Sequence, residues 1–131
     1  MAKGLVKTCY KLFLAQKTQL SPKRADSETF KPVEHYEMFT LQPKLMESLY
    51  YMYHHTKEEQ YRDMAYKIII NIEKYCLNKD GYVGLLDVNN EELGQVGVMD
   101  SKFISETLKY AYLIFDEQYY HLNLGGHLMK L

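Results

Sequence analysis

The 131 residues carry 16 lysines and arginines against 17 aspartates and glutamates, a formal net charge of −1 at pH 7. Charge this balanced gives no long-range field to gather nucleic acid or an anionic membrane surface, and the length supports one core rather than two domains. Apolar residues make up 47% and charged residues 25%, the ordinary mixture of a packed chain, which excludes wholesale disorder.

From Ala2 to Lys17, Leu5, Val6, Cys9, Leu12 and Phe13 recur at steps of three and four residues and predict an amphipathic helix. Ser21-Pro22, the charged run Lys23 to Glu28 and Lys31-Pro32 then break every period. Residues 18 to 40 therefore read as a long connection, of the length that carries function or stays unfolded. Pro43 suits the first position of a second helix, where its missing N–H costs nothing. Leu45, Met46, Leu49, Met52 and Tyr53 carry that helix to about His55. Thr56-Lys57-Glu58-Glu59 has the form of a capping box, opening a third helix whose stripe is Tyr61, Met64, Ala65, Ile68, Ile69, Ile72, Tyr75 and Cys76. With almost no loop between them, these two helices predict an antiparallel hairpin.

Asn78-Lys79-Asp80-Gly81 is turn chemistry, and Tyr82 to Val88 predicts a short strand or hairpin. Asn89 to Gly97 reads as a loop, after which Asp100 or Ser101 caps a fourth helix. Its stripe is Phe103, Ile104, Thr107, Leu108, Ala111, Ile114 and Phe115. After Asp116 the period fades, and Asn123 to Leu131, with Gly125-Gly126, reads as an unanchored tail. Such helices suit a bundle or a slice of a toroid of helix hairpins equally well.

Cys9 and Cys76 have no C-x-x-C spacing and no histidine at a zinc-ligand offset, which argues against a thiolate metal site. Leu12-Phe13-Leu14-Ala15 is too short for the core of a signal peptide, and no stretch approaches a membrane span. The thirteen tyrosines suit half-wet surfaces and carbohydrate-like ligands, with amphipathic packing as the plainer use. His54-His55 invites a metal reading, but neighbours on a helix point about 100° apart and cannot chelate together. Solvated surface is the expectation there, and His35 and His121 have no partner at a useful spacing.

The segment Leu41-Gln42-Pro43-Lys44-Leu45-Met46-Glu47-Ser48-Leu49-Tyr50-Tyr51-Met52-Tyr53 resembles the L-R-P-E-x-x-E-S-x-(F/Y)-Y-(L/M)-Y stretch of family 47 glycoside hydrolases, the class I α1,2-mannosidases and related ER degradation-enhancing mannosidase-like proteins. Val98-Met99-Asp100-Ser101-Lys102-Phe103-Ile104-Ser105-Glu106-Thr107-Leu108-Lys109-Tyr110 resembles the family's M-E-S-F-F-L-x-E-T-L-K-Y, followed by Ile114-Phe115-Asp116-Glu117 where the family has L-F-D-E or L-F-S-D. Thr8-Cys9-Tyr10, Leu20-Ser21-Pro22, Gly81-Tyr82 and Asp87-Val88 fall in family order, so the similarity runs from about residue 2 to 117. The family's T-C-Y cysteine pairs with one further upstream that this chain does not contain, which leaves Cys9 expected as a buried free thiol.

Inverting glycosidases need one carboxylic acid to protonate the leaving oxygen and one carboxylate to activate water. The resemblance implies that the base is the glutamate of R-P-E. That position is Lys44, a cation without an acceptor lone pair while protonated, and neighbouring Glu47 is expected to favour the charged form. The arginine of the same motif is Gln42, the glutamate of S-P-E is Lys23, and the aromatic and glutamate of M-E-S-F are Lys102 and Asp100. The general acid would lie upstream, so no catalytic residue is expected here. The family holds calcium through the threonine of a terminal N-T-E-A-H-P motif, with waters ordered by glutamates. No threonine follows Thr107, and His121 to His127 does not reproduce the motif, so calcium is expected as a family cofactor that this chain does not bind. Glu47 and Glu106 match the family's sugar-lining glutamates and are the substrate-binding candidates; ordinary surface acids are the alternative.

The expectation is thus an all-α, helix-hairpin fragment of an (αα)7 barrel with one short β-hairpin, residues 1–117 forming the partial barrel and 118–131 a tail. The implied function is that of the C-terminal part of a calcium-dependent inverting α1,2-mannosidase that trims N-glycan mannose, inactive alone. The alternative is a non-catalytic helical interaction module or degenerate pseudoenzyme. Implied partners are a high-mannose N-glycan and either a companion barrel portion or a second copy, with no nucleic acid and no membrane span. The family implies the ER or Golgi lumen; expressed as it stands, without a targeting signal, the chain is expected in the cytoplasm.

Overall fold

The computed structural model describes residues 1–41, 43–97 and 99–116, so Gln42, His121 and the tail expected over 118–131 lie outside the described residues. Helices α1 (Ala2–Leu14), α2 (Leu45–Thr56) and α3 (Gln60–Cys76) are followed by a π-helical turn, Phe103–Leu108, that runs on into α4 (Lys109–Phe115). The centre is α2, which packs against α1, α3 and α4 and fully buries Met46 and Leu49. Val6, Tyr10 and Phe13 of α1, Tyr61, Ala65, Ile68 and Ile72 of α3, and Ala111, Leu113 and Ile114 of α4 close one continuous core around it. Each large apolar side chain removed from water in this way contributes about 1.5–3 kcal/mol before the entropy of ordering it.

The stripes are narrower than their sequence period suggests. On α1, Val6 and Phe13 turn inward as expected, while Leu5 is 61% exposed and Cys9 is also exposed. The buried free thiol is Cys76, whose pKa burial pushes up to about 12. On the fourth helix, Phe103, Thr107, Ala111 and Ile114 are buried, but Ile104, Leu108 and Phe115 stay exposed, with Tyr112 beside them. Among the described residues α1 packs on α2, and α4 packs on α2 and α3, which covers only part of each apolar stripe.

The junction between α2 and α3 is a helical hairpin without the expected capping box. Thr56 is the last residue of α2; its hydroxyl donates to the Met52 carbonyl at 2.7 Å and accepts the Glu58 N–H at 3.3 Å. Lys57, at φ 58°, ends the helix in the left-handed conformation, and Glu59 opens α3 without a side-chain cap. A threonine in a final turn takes the carbonyl four residues back in place of serving the next helix.

Residues 18–40 are ordered rather than unfolded. The Thr18 hydroxyl donates to the Val88 carbonyl at 2.7 Å, Lys23 N–H reaches the Met38 carbonyl at 2.8 Å, and Asp26 caps its own turn by accepting the Thr29 N–H at 2.8 Å. Leu20 and Phe39 anchor the ends in the core. The strand content is two antiparallel ladders: β1 (Leu77–Asn78) with β2 (Gly81–Tyr82), and β3 (Gly84–Leu85) with β4 (Gln95–Val96). The expected strand segment therefore splits at Val83. Among the described residues, no helix is long and apolar enough to cross a membrane.

Gly84 is required by proximity. Phe39 and Leu85 exchange both backbone hydrogen bonds at 3.0 Å, and a Cβ on Gly84 would sit 2.3 Å from the Phe39 carbonyl oxygen. Gly84→Ala is expected to cost about 1–3 kcal/mol, the usual penalty of forced overpacking. Urea unfolding measures it, and an unchanged midpoint would show that this crossing is loose.

Candidate functional site

Three candidate residues, Lys44, Glu47 and Glu106, meet beside Thr107 where the first turn of α2 faces the π-helical turn. Lys44 is the residue before α2, Glu47 lies in its first turn, and Glu106 and Thr107 lie on the π turn. Pro43, Lys44, Glu47, Glu106, Thr107 and Tyr110 line a pinched cleft of about 10 Å³. That is room for about one water molecule.

The backbone leading in is held by a buried hydrogen bond. Thr107 is 3% exposed and donates its hydroxyl to the Leu41 carbonyl at 3.0 Å. Leu41 is itself buried and has φ 61°, a left-handed conformation that costs a non-glycine residue about 1–2 kcal/mol. Burial of its side chain and the bond to Thr107 offset that cost.

Charge is distributed differently from the sequence expectation. The ammonium of Lys44 forms an ion pair with the Glu106 carboxylate, not with Glu47. Its side chain is 64% exposed. Glu47 is half-buried and accepts a hydrogen bond from the Tyr110 phenol at 3.2 Å. Burial first, then the hydrogen bond with Tyr51 and the Glu47 charge, push the Tyr110 pKa above its ordinary value. The Tyr110 ring lies 5.6 Å from that of Tyr50 and 6.0 Å from that of Tyr51, giving the cleft an aromatic wall.

Other candidates lie elsewhere. Lys23 and Lys44 share a larger cavity beside α1. Lys102 is exposed, and Asp100 accepts its N–H at 2.8 Å, opening the fourth helix as expected. His54 departs from the solvated reading: it is half-buried, its ring 5.9 Å from that of Tyr50, and burial lowers its pKa. His55 and His35 are exposed. Tyr110 and Thr107 are the members that residue chemistry alone left unassigned. Tyr110 sits four residues after Glu106, but its acceptor Glu47 is 63 positions away, a pairing that helical spacing does not reveal.

The side-chain oxygens of the described cleft residues have protein partners. Thr107 spends its proton on a carbonyl, Glu47 takes a phenol and Glu106 takes an ammonium. Calcium needs six to eight oxygen ligands, and no group of three or more His, Cys, Asp or Glu suited to a metal occurs among the described residues.

A raised phenol pKa makes stability fall with alkali: the contribution is complete below the ordinary tyrosine value of 10.0 and is lost as pH rises through and beyond it. Tyr110→Phe is expected to cost about 0.5–1.5 kcal/mol at neutral pH by unpairing Glu47 and to flatten the decline above pH 10. Urea unfolding from pH 8 to 11 reads both effects. Tyr10 and Cys76, whose burial acts in the same sense, contribute to the residual slope.

The model of glycosyl hydrolase family 47 matches residues 1–128. The chain is 31% identical over 123 residues to mannosyl-oligosaccharide alpha-1,2-mannosidase IA of Drosophila melanogaster, covering 89% of this chain and 18% of that protein. It is 32% identical over 138 residues to the endoplasmic reticulum mannosyl-oligosaccharide 1,2-alpha-mannosidase of Mus musculus, covering 96% of this chain and 21% of the relative. The solved alpha-1,2-mannosidase from Trichoderma reesei superposes with a TM-score of 0.74 at 27% identity, covering 87% of this chain and 28% of that one. The chain thus spans about a fifth of the length of these curated relatives. The family model and the structural likeness agree, and the chain belongs to glycosyl hydrolase family 47.

Proposed function

We propose that this chain carries part of the glycan pocket of an α1,2-mannosidase and does not hydrolyse mannosyl linkages by itself. Glu47 and Glu106 are the residues assigned to that pocket, and the ion pair of Lys44 with Glu106 carries the reading. An ammonium stands where the family motif places the carboxylate that would deprotonate water, and it takes up one of the two remaining acids. A protonated amine has no lone pair with which to accept a proton. Losing a general base removes a factor of about 10²–10⁴ in rate. The reading includes no calcium held by this chain, because no threonine follows Thr107 to supply the family's direct ligand. It assigns residues 1–117 to the barrel-like domain and 118–131 to a tail. The glycan implied is a high-mannose N-glycan, and the compartment implied is the ER or Golgi lumen, in keeping with relatives named as endoplasmic reticulum mannosidases.

The test is release of free mannose from a high-mannose N-glycan with calcium supplied. No release is expected from the 131-residue chain. Turnover abolished by Glu47→Ala and by Glu106→Ala would overturn the reading.

A second reading, a non-catalytic helical module that packs on a companion or on itself, is favoured by the exposed flank Ile104, Leu108, Tyr112 and Phe115. Contiguous apolar surface of this kind promotes association. Sedimentation is expected to show concentration-dependent self-association that Leu108→Glu weakens. A monomer at all concentrations would count against it.

A further inference from the structure

A cavity of about 480 Å³ lies between α1 and the segments that lead into α2. This size is within the range of small-molecule pockets. Its walls are Leu5, Val6, Leu12, Phe13, Phe39 and Leu45, an apolar lining contributed by three stretches of chain. Its polar members are cations and hydroxyls. Lys23 and Lys44 bring cations, Ser21, Thr40 and Ser48 bring hydroxyls, and none of the described lining residues is acidic. Glu106, the partner of Lys44, lines the neighbouring narrow cleft instead.

Lys23 is exposed, and among the described residues no acid pairs with it. Its backbone is fixed by the hydrogen bond to Met38, so the cation is tethered at the cavity. Lys44 offers three N–H donors, of which the ion pair with Glu106 accounts for one. The 12-residue helix α2 also begins at this cavity with Leu45, and its N-terminal end carries the positive pole of the backbone dipoles.

We infer that this cavity binds a free amphipathic anion: a single-chain carboxylate whose alkyl tail lies against Leu5, Leu12 and Phe39 and whose head meets Lys23 and Lys44. A neutral sugar would leave the apolar walls without complement, and a cationic amphiphile would meet two like charges. The inference shares Lys44 with the glycan reading but uses neither Glu47 nor Glu106 as a contact, and carboxylate binding and mannose release test the two separately.

The experiment is calorimetric titration of the 131-residue chain with dodecanoate below its micelle concentration, beside dodecyltrimethylammonium, which has the same tail and the opposite charge. Saturable binding at one site per chain is expected for dodecanoate and at least tenfold weaker binding for the cation. Lys23→Glu is expected to weaken dodecanoate at least tenfold without changing the circular dichroism. Cys9→Trp, which fills the cavity from an exposed position, is expected to abolish binding. Equal binding of the two amphiphiles, no saturable binding, or indifference to Lys23→Glu would overturn the inference. So would uptake by anionic vesicles without binding of free dodecanoate, or a dimer dissociated by Cys9→Trp in a chain that ignores the carboxylate.

Discussion

The structure depends on one buried polar contact, the hydroxyl of Thr107 donating to the carbonyl of Leu41. It joins the fourth helix to the residue two positions before Pro43, and so fixes where α2 begins. Without it, a carbonyl in the core would lose its donor, a penalty of about 1–3 kcal/mol, and Leu41 would lose its compensation for a left-handed backbone. The rest of the core then assembles around α2, because Met46 and Leu49 can be fully buried only if the helix enters at that point.

The same junction explains the character of the cleft. Two acids on different helices face each other across a gap the size of one water, and each has a distinct partner. Tyr110 holds Glu47 from within an aromatic wall, while Lys44 holds Glu106 from solvent. The two acids are therefore unequal in environment although their motifs look alike. The half-buried pair is shaped by packing, and the exposed pair is governed by water.

Much of this was legible in the residues. The helices, the turn at Asn78 to Gly81 and the cap at Asp100 follow from periodicity and turn chemistry. What escaped was tertiary. Leu5, Cys9, Ile104 and Leu108 continue apolar stripes whose neighbours are missing among the described residues, so a period marks them as core where the fold exposes them. Thr56 satisfies a capping pattern in sequence, yet the carbonyl of Met52 lies nearer along the helix. Lys44 and Glu47 are neighbours along the chain, but a side chain ahead of the first turn reaches across to the facing helix. The buried network of Gln16, which donates to the Phe30 carbonyl at 2.7 Å and accepts from Asn89 at 2.9 Å, likewise joins residues that no local pattern relates.

The exposed setting of Lys44 bears on how tolerant this position is to change. An ion pair bathed in solvent is worth about 0–1 kcal/mol, and the ionic atmosphere of a cell damps it further over a Debye length of about 8 Å. Anchoring lies instead with Thr107, Leu41 and the apolar side chains beneath. Reversing the sign at residue 44 therefore alters the electrostatic potential of the cleft while leaving the scaffold nearly unperturbed, so chemistry and architecture are separable at this point.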